Sequence, residues 1–508
     1  MTPTLDIGAL APMLPVALAA LLLPLAEVLL SRRRTFLSGR IDETWIGNAL
    51  AVGCIGALVV SLSFTAGGFA DPIRVFNPDH PMIAMDRLSL FLDAVILIGA
   101  LITVLVSSRY LDDMSINHGE YYALLMSSVL GMMFLVASTD LIMLFVSLEL
   151  MSIPIYVLAG FRRRALRSNE AALKYLLIGS FASGILLYGS ALLYGATGSF
   201  EIHAIAAAFD PESPLALVGA GMVLIGIAFK ISAVPFHQWA PDVYEGSPTS
   251  VSGFMATAVK VAAFGVLLRV AGVALEPGRD VFYAVLWTLA ILSMTVGNLM
   301  ALIQRNTKRM LAYSSVAHAG YLLVGVVAGT LAGYSAVLFY LFAYTFMTLG
   351  AFGVIAVLAH KGEERERIAD LTGLAQSRPF LAAVMALCMF SLAGIPGTAG
   401  FMGKWYLFWS AVERGSATSD STLLWLAIIG VLNSALSLGY YLRIPVVMYM
   451  RDPTSEKAPL PPGFLPAVAL LGCSIAVVLV GLWPESNLIV GKVNLLEWAT
   501  LAGATLRP

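Results

Sequence analysis

Six side chains able to carry a proton lie inside or beside stretches that are otherwise apolar: Glu149, Lys230, His237, Lys260, His318 and Lys404. A charged group at mid-bilayer depth is costly, so it faces a partner or a hydrated cavity. Glu149 sits in DLIMLFVSLELMSIPIYVLAGF, with apolar residues on both sides. Lys230 precedes Pro235 by five residues in GMVLIGIAFKISAVPFHQWAPDVYEGSP. That proline removes a backbone donor and clashes with the carbonyl four residues earlier, which predicts a kinked or broken helix beside the lysine. Unwound backbone at membrane depth survives only where protein buries it or it lines water. Lys230 therefore either reaches a hydrated interior or pins the break by capping carbonyls, and both can hold together.

Lys260, in SVSGFMATAVKVAAFGVLLR, lies about halfway along a predicted helix, too deep to reach the headgroups comfortably. Burial penalises its charged form, which suits a proton carrier; a fixed ion pair is the alternative. Lys404 falls in SLAGIPGTAGFMGKWYLF, where Pro396 and four glycines interrupt an apolar stretch. A phosphate-binding loop is excluded there: Trp405 stands where Ser or Thr is needed, the glycine spacing is wrong and no strand precedes. A second broken helix fits better. His237 and His318 suit a proton relay, and equally a hydrogen bond to a neighbouring helix.

These residues need a membrane frame, and the composition supplies one. The 508 residues are 59% hydrophobic and 12% charged, against about 25% charged in soluble domains. A net charge of −1 excludes a nucleic-acid binder of the basic kind. Cys54, Cys388 and Cys473 lie far apart in apolar runs and read as packing residues. No Lys or Arg precedes the first apolar run, so it reads as a retained helix, not a cleaved signal.

Spans of about 20 apolar residues are predicted near 9–30, 46–67, 89–108, 120–137, 139–160, 170–196 and 214–235. Seven more follow near 250–272, 281–303, 309–329, 333–359, 379–411, 422–446 and 463–483. With the N-terminus outside, 19 Lys and Arg fall in inside loops and six in outside segments. The inside group includes Arg32–Arg34, Arg162–Arg164 and Lys308. One span more or fewer would destroy that asymmetry, so fourteen spans with both termini outside are expected. Lys174 and Arg269 lie within about a turn of helix ends and can snorkel. Asp93, Asp140, Asp242 and Glu245 also lie nearer span ends, where solvated or capping roles are expected.

The two interrupted spans resemble each other. Ser-Ala-Val-Pro at 232–235 parallels Ala-Gly-Ile-Pro at 393–396. They are the seventh and twelfth spans, hence oppositely oriented, the mark of an inverted repeat with its ion site at the repeat interface. The expected architecture is an all-α polytopic membrane protein with two inverted five-helix repeats and two broken helices. It divides into 1–115 (three N-terminal spans), 116–275 (first repeat), 276–447 (second repeat) and 448–508 (last span and tail).

On the stretches already quoted, together with EAALKYLLIGSFASGILLYGSALLYGATGS and NTKRMLAYSSVAHAGYLLVG, the sequence resembles the antiporter-like membrane subunits of NADH:quinone oxidoreductase (respiratory complex I). The short tail after the last span and a lysine at 404 favour the N-type branch over its L- and M-type sisters. The resemblance implies that Glu149 and Lys230 form a coupling pair, that Lys260 is the central proton carrier and that Lys404 serves a second half-channel. His237 and His318 match hydrated-axis positions. It also implies no cofactor in this chain, with NADH, FMN, iron–sulfur clusters and quinone in partner subunits. The implied partners are a second antiporter-like subunit, small membrane chains and lipids, not nucleic acid, in a bacterial inner membrane with both termini periplasmic. A cation/proton antiporter subunit and a non-pumping structural membrane subunit are the alternatives.

Overall fold

The computed structural model describes residues 5–36, 43–69, 74–360, 362–452, 461–485 and 494–506; Arg40, Lys361, Lys457, Lys492 and Arg507 of the charge count lie outside them. The helices are α1 (Leu14–Phe36), α2 (Glu43–Gly68), α3 (Arg87–Asp113), α4 (Gly119–Ala137), α5 (Leu141–Ala159), α6 (Leu166–Thr197) and α7 (Ile202–Ala208). Next come α8 (Pro214–Lys230), α9 (Trp239–Gly246), α10 (Thr249–Ala274), α11 (Arg279–Leu302), α12 (Thr307–Ala328) and α13 (Leu331–Val357). The last are α14 (Pro379–Ala393), α15 (Ala399–Thr418), α16 (Ser421–Tyr441), α17 (Arg443–Met450), α18 (Phe464–Leu482) and α19 (Leu495–Ala504). Among the described residues, eleven helices are long and apolar enough to cross a membrane, and α1, α8 and α14 hold shorter apolar segments.

Helices α10, α12 and α13 are buried almost throughout, whereas α2, α6 and α18 leave most of their apolar residues outward. That inversion is what lipid permits: the outer face is apolar, and polar groups collect where helices meet. Small residues set the close approaches. A Cβ on Gly131 of α4 would stand 2.3 Å from the backbone nitrogen of Met151 in α5, so only glycine allows that contact.

Asp140 caps α5 by accepting from the backbone N–H groups of Ile142 (2.8 Å) and Met143 (3.1 Å), in line with its expected role. Lys174, 40% exposed and about two turns into α6, pairs with Glu170 (2.7 Å) and Asp242 (2.8 Å). Two expectations fail. Arg269 does not snorkel: α10 runs on to Ala274, and the guanidinium is buried against Asp86 at 2.7 Å, with Nε donating to the Val136 carbonyl at 2.9 Å. Asp93 is neither solvated nor capping. It lies inside α3, 1% exposed, with Oδ1 unpartnered. Two further elements escaped the sequence pattern. A short antiparallel ribbon pairs Arg74–Val75 with Ala84–Met85. Helix α19, capped by Asn494, inserts Trp498 against Phe69 and Phe91.

The connection from α13 to α14 is tied down by charge. Glu364, almost wholly buried, pairs with Arg162 (3.1 Å) and Lys308 (3.3 Å) and accepts from Thr249 Oγ1 (2.8 Å) and the Tyr110 hydroxyl. Burial pushes its carboxyl up, but Lys308, Tyr110, Arg162 and Thr249 outweigh that and hold it below the ordinary 4.5. A carboxyl depressed by folding stabilises the fold above its unfolded value and loses that contribution as pH falls through the folded value. Thermal unfolding of the detergent-solubilised protein should therefore show a loss of stability on acidification below about pH 4.5. Glu364→Gln should lack that loss and lower stability at neutral pH by about 3 kcal/mol, the cost of orphaning a buried partner.

Candidate functional site

The two prolines break their helices as expected, and the breaks are what place two of the lysines. Helix α8 ends at Lys230, and the chain turns through Ser232, at φ +61°, to the cis Val234–Pro235 peptide before α9 begins. Ser293 Oγ accepts from the Val234 N–H (2.9 Å), and the Trp239 indole donates to the Phe229 carbonyl (3.1 Å). In the second break, α14 ends at Ala393 and Gly394 takes φ +88°, a left-handed cap that suits glycine. The last carbonyls of α14 would then be orphaned. Lys404, from the first turns of α15, fills that need: Nζ donates to the carbonyls of Leu392 (2.9 Å) and Ala393 (3.1 Å) and to Ser434 Oγ (2.9 Å).

The second break therefore puts an ammonium at the carbonyl end of a half-helix, where the backbone dipole favours positive charge. Lys230 is itself the last residue of α8. Its Nζ donates to Ser152 Oγ (2.8 Å) and to the Tyr156 hydroxyl (3.3 Å), both on α5. The rings of Tyr156, Tyr175 and Phe229 lie 5.4–5.7 Å from Nζ, within cation–π range. Hydroxyls and rings hold Lys230, while carbonyl capping falls to Lys404. Glu149 is on α5 with Ser152 and Tyr156, at spacings of three and seven that share one helix face. It is half-buried, its Oε1 has no partner, and it makes no ion pair with Lys230 within 4 Å.

Lys260 lies in the buried α10 immediately after a π-helical turn, Met255–Val259. Such turns bulge the backbone and redirect the following side chain. Its Nζ reaches the carbonyl and the hydroxyl of Ser315 on α12 and stands 5.9 Å from the Tyr344 ring. Helix α12 also carries His318, whose Nδ1 meets the Tyr340 hydroxyl (2.6 Å) and whose Nε2 meets the Tyr441 hydroxyl (2.8 Å). Tyr441 in turn hydrogen-bonds Ser314. One turn past His318, the Tyr321 ring lies 4.9 Å from Lys404 Nζ. Ser315, His318 and Tyr321 thus run along one buried helix from Lys260 to Lys404, over about 9 Å of axis.

His237 sits apart, half-buried beside the first break, with Nδ1 unpartnered and its ring 6.5 Å from Tyr313. Sequence reasoning missed the hydroxyls. Ser152 and Tyr156 were detectable as the helical neighbours of Glu149, but Ser315, Ser434, Tyr340 and Tyr441 come from other helices and carry no local signal. Among the described residues, no group of three or more His, Cys, Asp and Glu is placed to hold a metal.

By family match and fold, this helical membrane protein with lysines buried at two helix breaks belongs to the antiporter-like class. Residues 138–437 match the transmembrane family described as NADH:quinone oxidoreductase/Mrp antiporter. NADH-quinone oxidoreductase subunit N of Trichlorobacter lovleyi is 45% identical over 81% of this chain and 82% of its own length. The subunit N 1 of Sorangium cellulosum is 42% identical over 94% and 96% respectively. A chain of respiratory complex I from Thermus thermophilus superposes with a TM-score of 0.77 at 33% identity, covering 95% of this chain and 100% of that one. A chain of the Mrp complex from Dietzia sp. DQ12-45-1b shares the fold, with a TM-score of 0.80 at 23% identity over 100% and 98%. The chain belongs to the NADH-quinone oxidoreductase subunit N family.

The second break tolerates no side chain at Gly400, where a Cβ would fall 1.8 Å from the Ser391 carbonyl oxygen. Gly400→Ala should force α14 and α15 apart at the Lys404 cap. It should lower the melting temperature of the solubilised protein, at a cost of about 1–3 kcal/mol. Ser434→Ala, which removes one of three acceptors and adds no bulk, should cost less in the same melt.

Proposed function

We propose that this chain is a proton-translocating membrane subunit of an NADH:quinone oxidoreductase, in which Lys260 is the central carrier. The observation that carries this reading is the chemistry of the lysine partners. Lys230, Lys260 and Lys404 are held by hydroxyls, carbonyls and rings. The cations outside the line, Lys174, Arg269 and Lys308, are paired with carboxylates. A carboxylate at contact would lock an ammonium in its charged form. Neutral oxygens solvate it and let the proton go.

Glu149 serves as the removable counter-charge for Lys230. When conformational change elsewhere in the complex brings the two together, Lys230 holds its proton; when they part, it yields the proton towards Lys260 through water. His318, bridged by tyrosine hydroxyls, and Lys404 continue the route, and His237 marks a wetter side branch at the first break. The driving reaction belongs to partner subunits, which carry the NADH, FMN, iron–sulfur and quinone chemistry. The membrane partners are a second antiporter-like subunit and small membrane chains. Fourteen crossings in two inverted five-helix repeats, with both termini on the periplasmic side of a bacterial inner membrane, complete the reading. Residues 116–275 and 276–447 are the repeats, and 1–115 and 448–508 flank them.

Lys260→Ala in the assembled complex, reconstituted in vesicles, should reduce proton pumping by roughly tenfold or more while the subunits still copurify. Unchanged proton-to-electron stoichiometry would remove the lysine relay, and failure to assemble would move Lys260 to a structural role. Sodium-dependent transport by the chain without NADH would favour the cation antiporter instead.

A further inference from the structure

Among the described residues, the proton route above leaves one buried acid both unused and without an ion pair. Asp93 is 1% exposed, and its Oδ1 has no hydrogen-bond partner. An orphaned carboxyl oxygen inside a packed membrane helix is expensive and is retained where it takes part in function. Its position on α3 can be read against α10. A Cβ on Gly265 would meet Leu92 at 2.5 Å, and one on Gly99 would stand 3.9 Å from the Ala258 Cβ. The two helices therefore run antiparallel, with residue 92 level with 265 and residue 99 level with 258. Asp93 thus lies about four residues, or ~6 Å along the axis, from the level of Lys260 towards Arg269. Beyond it, where Asp86 caps the start of α3 and Arg269 lies in the last two turns of α10, the buried Asp86–Arg269 pair closes the interface at 2.7 Å.

Resting on the reading of Lys260 as a proton carrier, we infer that Asp93 takes a proton from Lys260 through water and passes it outward along the α3–α10 interface. The Asp86–Arg269 pair gates this route. The transfer conserves charge: the Lys260 ammonium becomes a neutral amine and the Asp93 carboxylate a neutral acid. The acid then releases its proton towards the outer end of α3 when Arg269 turns from Asp86 to Asp93. The charged groups set against Asp93 are Asp86, seven residues earlier at the N-cap of α3, and Arg269 on α10. The first half of the molecule thereby has an outlet of its own, separate from Lys404.

The test compares Asp93→Asn, Asp93→Glu and Lys260→Ala in the whole complex in proteoliposomes, reading proton-to-electron stoichiometry, quinone reduction and copurifying subunits. Asp93→Asn should assemble normally and lower the proton-to-electron ratio, though less than Lys260→Ala does because the Lys404 route stays open, while Asp93→Glu restores most of it. The infrared difference spectrum of the working complex should lose a carboxylic-acid band in Asp93→Asn. Normal pumping in Asp93→Asn with loss in Lys260→Ala would overturn the inference and leave the relay standing. Normal pumping in both would overturn both. Equal loss in Asn and Glu variants, or failed assembly of Asp93→Asn, would make Asp93 a packing residue and also overturn the inference.

Discussion

The structure is organised around the solvation of three ammonium groups by neutral oxygen in a medium where water is scarce. An isolated cation moved from water into hydrocarbon loses far more than the fold can spare, so each must find replacement dipoles. A carboxylate would satisfy it most strongly, as Asp86 does for Arg269 and Glu364 for Lys308. The three central lysines instead receive serine and tyrosine hydroxyls, helix-end carbonyls and aromatic faces. These partners hold a charge without fixing it. The irregular backbone follows from this need, because a straight α-helix spends its carbonyls on itself. The break after Ala393 frees carbonyls for Lys404, the break after Lys230 gives that lysine a helix end, and the π turn before Lys260 turns it onto Ser315.

Helix α12 joins these features into one system. It is buried along its length, and it offers Ser314, Ser315, His318 and Tyr321 to partners on α10, α13, α15 and α16. Its small residues allow the neighbours close: a Cβ on Gly320 would meet the backbone of Met294 at 2.6 Å. The tyrosine hydroxyls at His318 can donate or accept, so either imidazole tautomer is satisfied without any side chain leaving its place. The charged network that binds Glu364 to Lys308, Arg162 and Thr249 lies where α10 and α12 begin. It fixes the relative height of the two helices that carry Lys260 and its Ser315 partner.

Much of this was legible in the sequence because lipid burial is a severe filter. A lysine in twenty apolar residues, or a proline at mid-span, has few physical explanations, so the broken helices at Pro235 and Pro396 and the depth of Lys260 could be read directly. Partners from distant helices could not, since nothing near residue 260 announces Ser315 and nothing near 404 announces Ser434. Arg269 and Asp93 were misplaced for a related reason. Distance from a helix end says how far a side chain is from the headgroups, but not whether another helix stands in the way. Asp86, in the turn before α3, intercepts Arg269, and the packing around α3 leaves Asp93 only 1% exposed. The π turn at Met255–Val259 also has no proline or glycine signal of its own.

The central claim is that the three lysines share one hydrated route, whose stretch from Lys260 to Lys404 runs along α12. A structure of the assembled complex at a resolution that locates ordered water would test it most directly. The account predicts water between Lys230 and Lys260 and along the Ser315–His318–Tyr321 face towards Lys404. Close-packed apolar side chains filling those gaps, with no water between one lysine and the next, would contradict it.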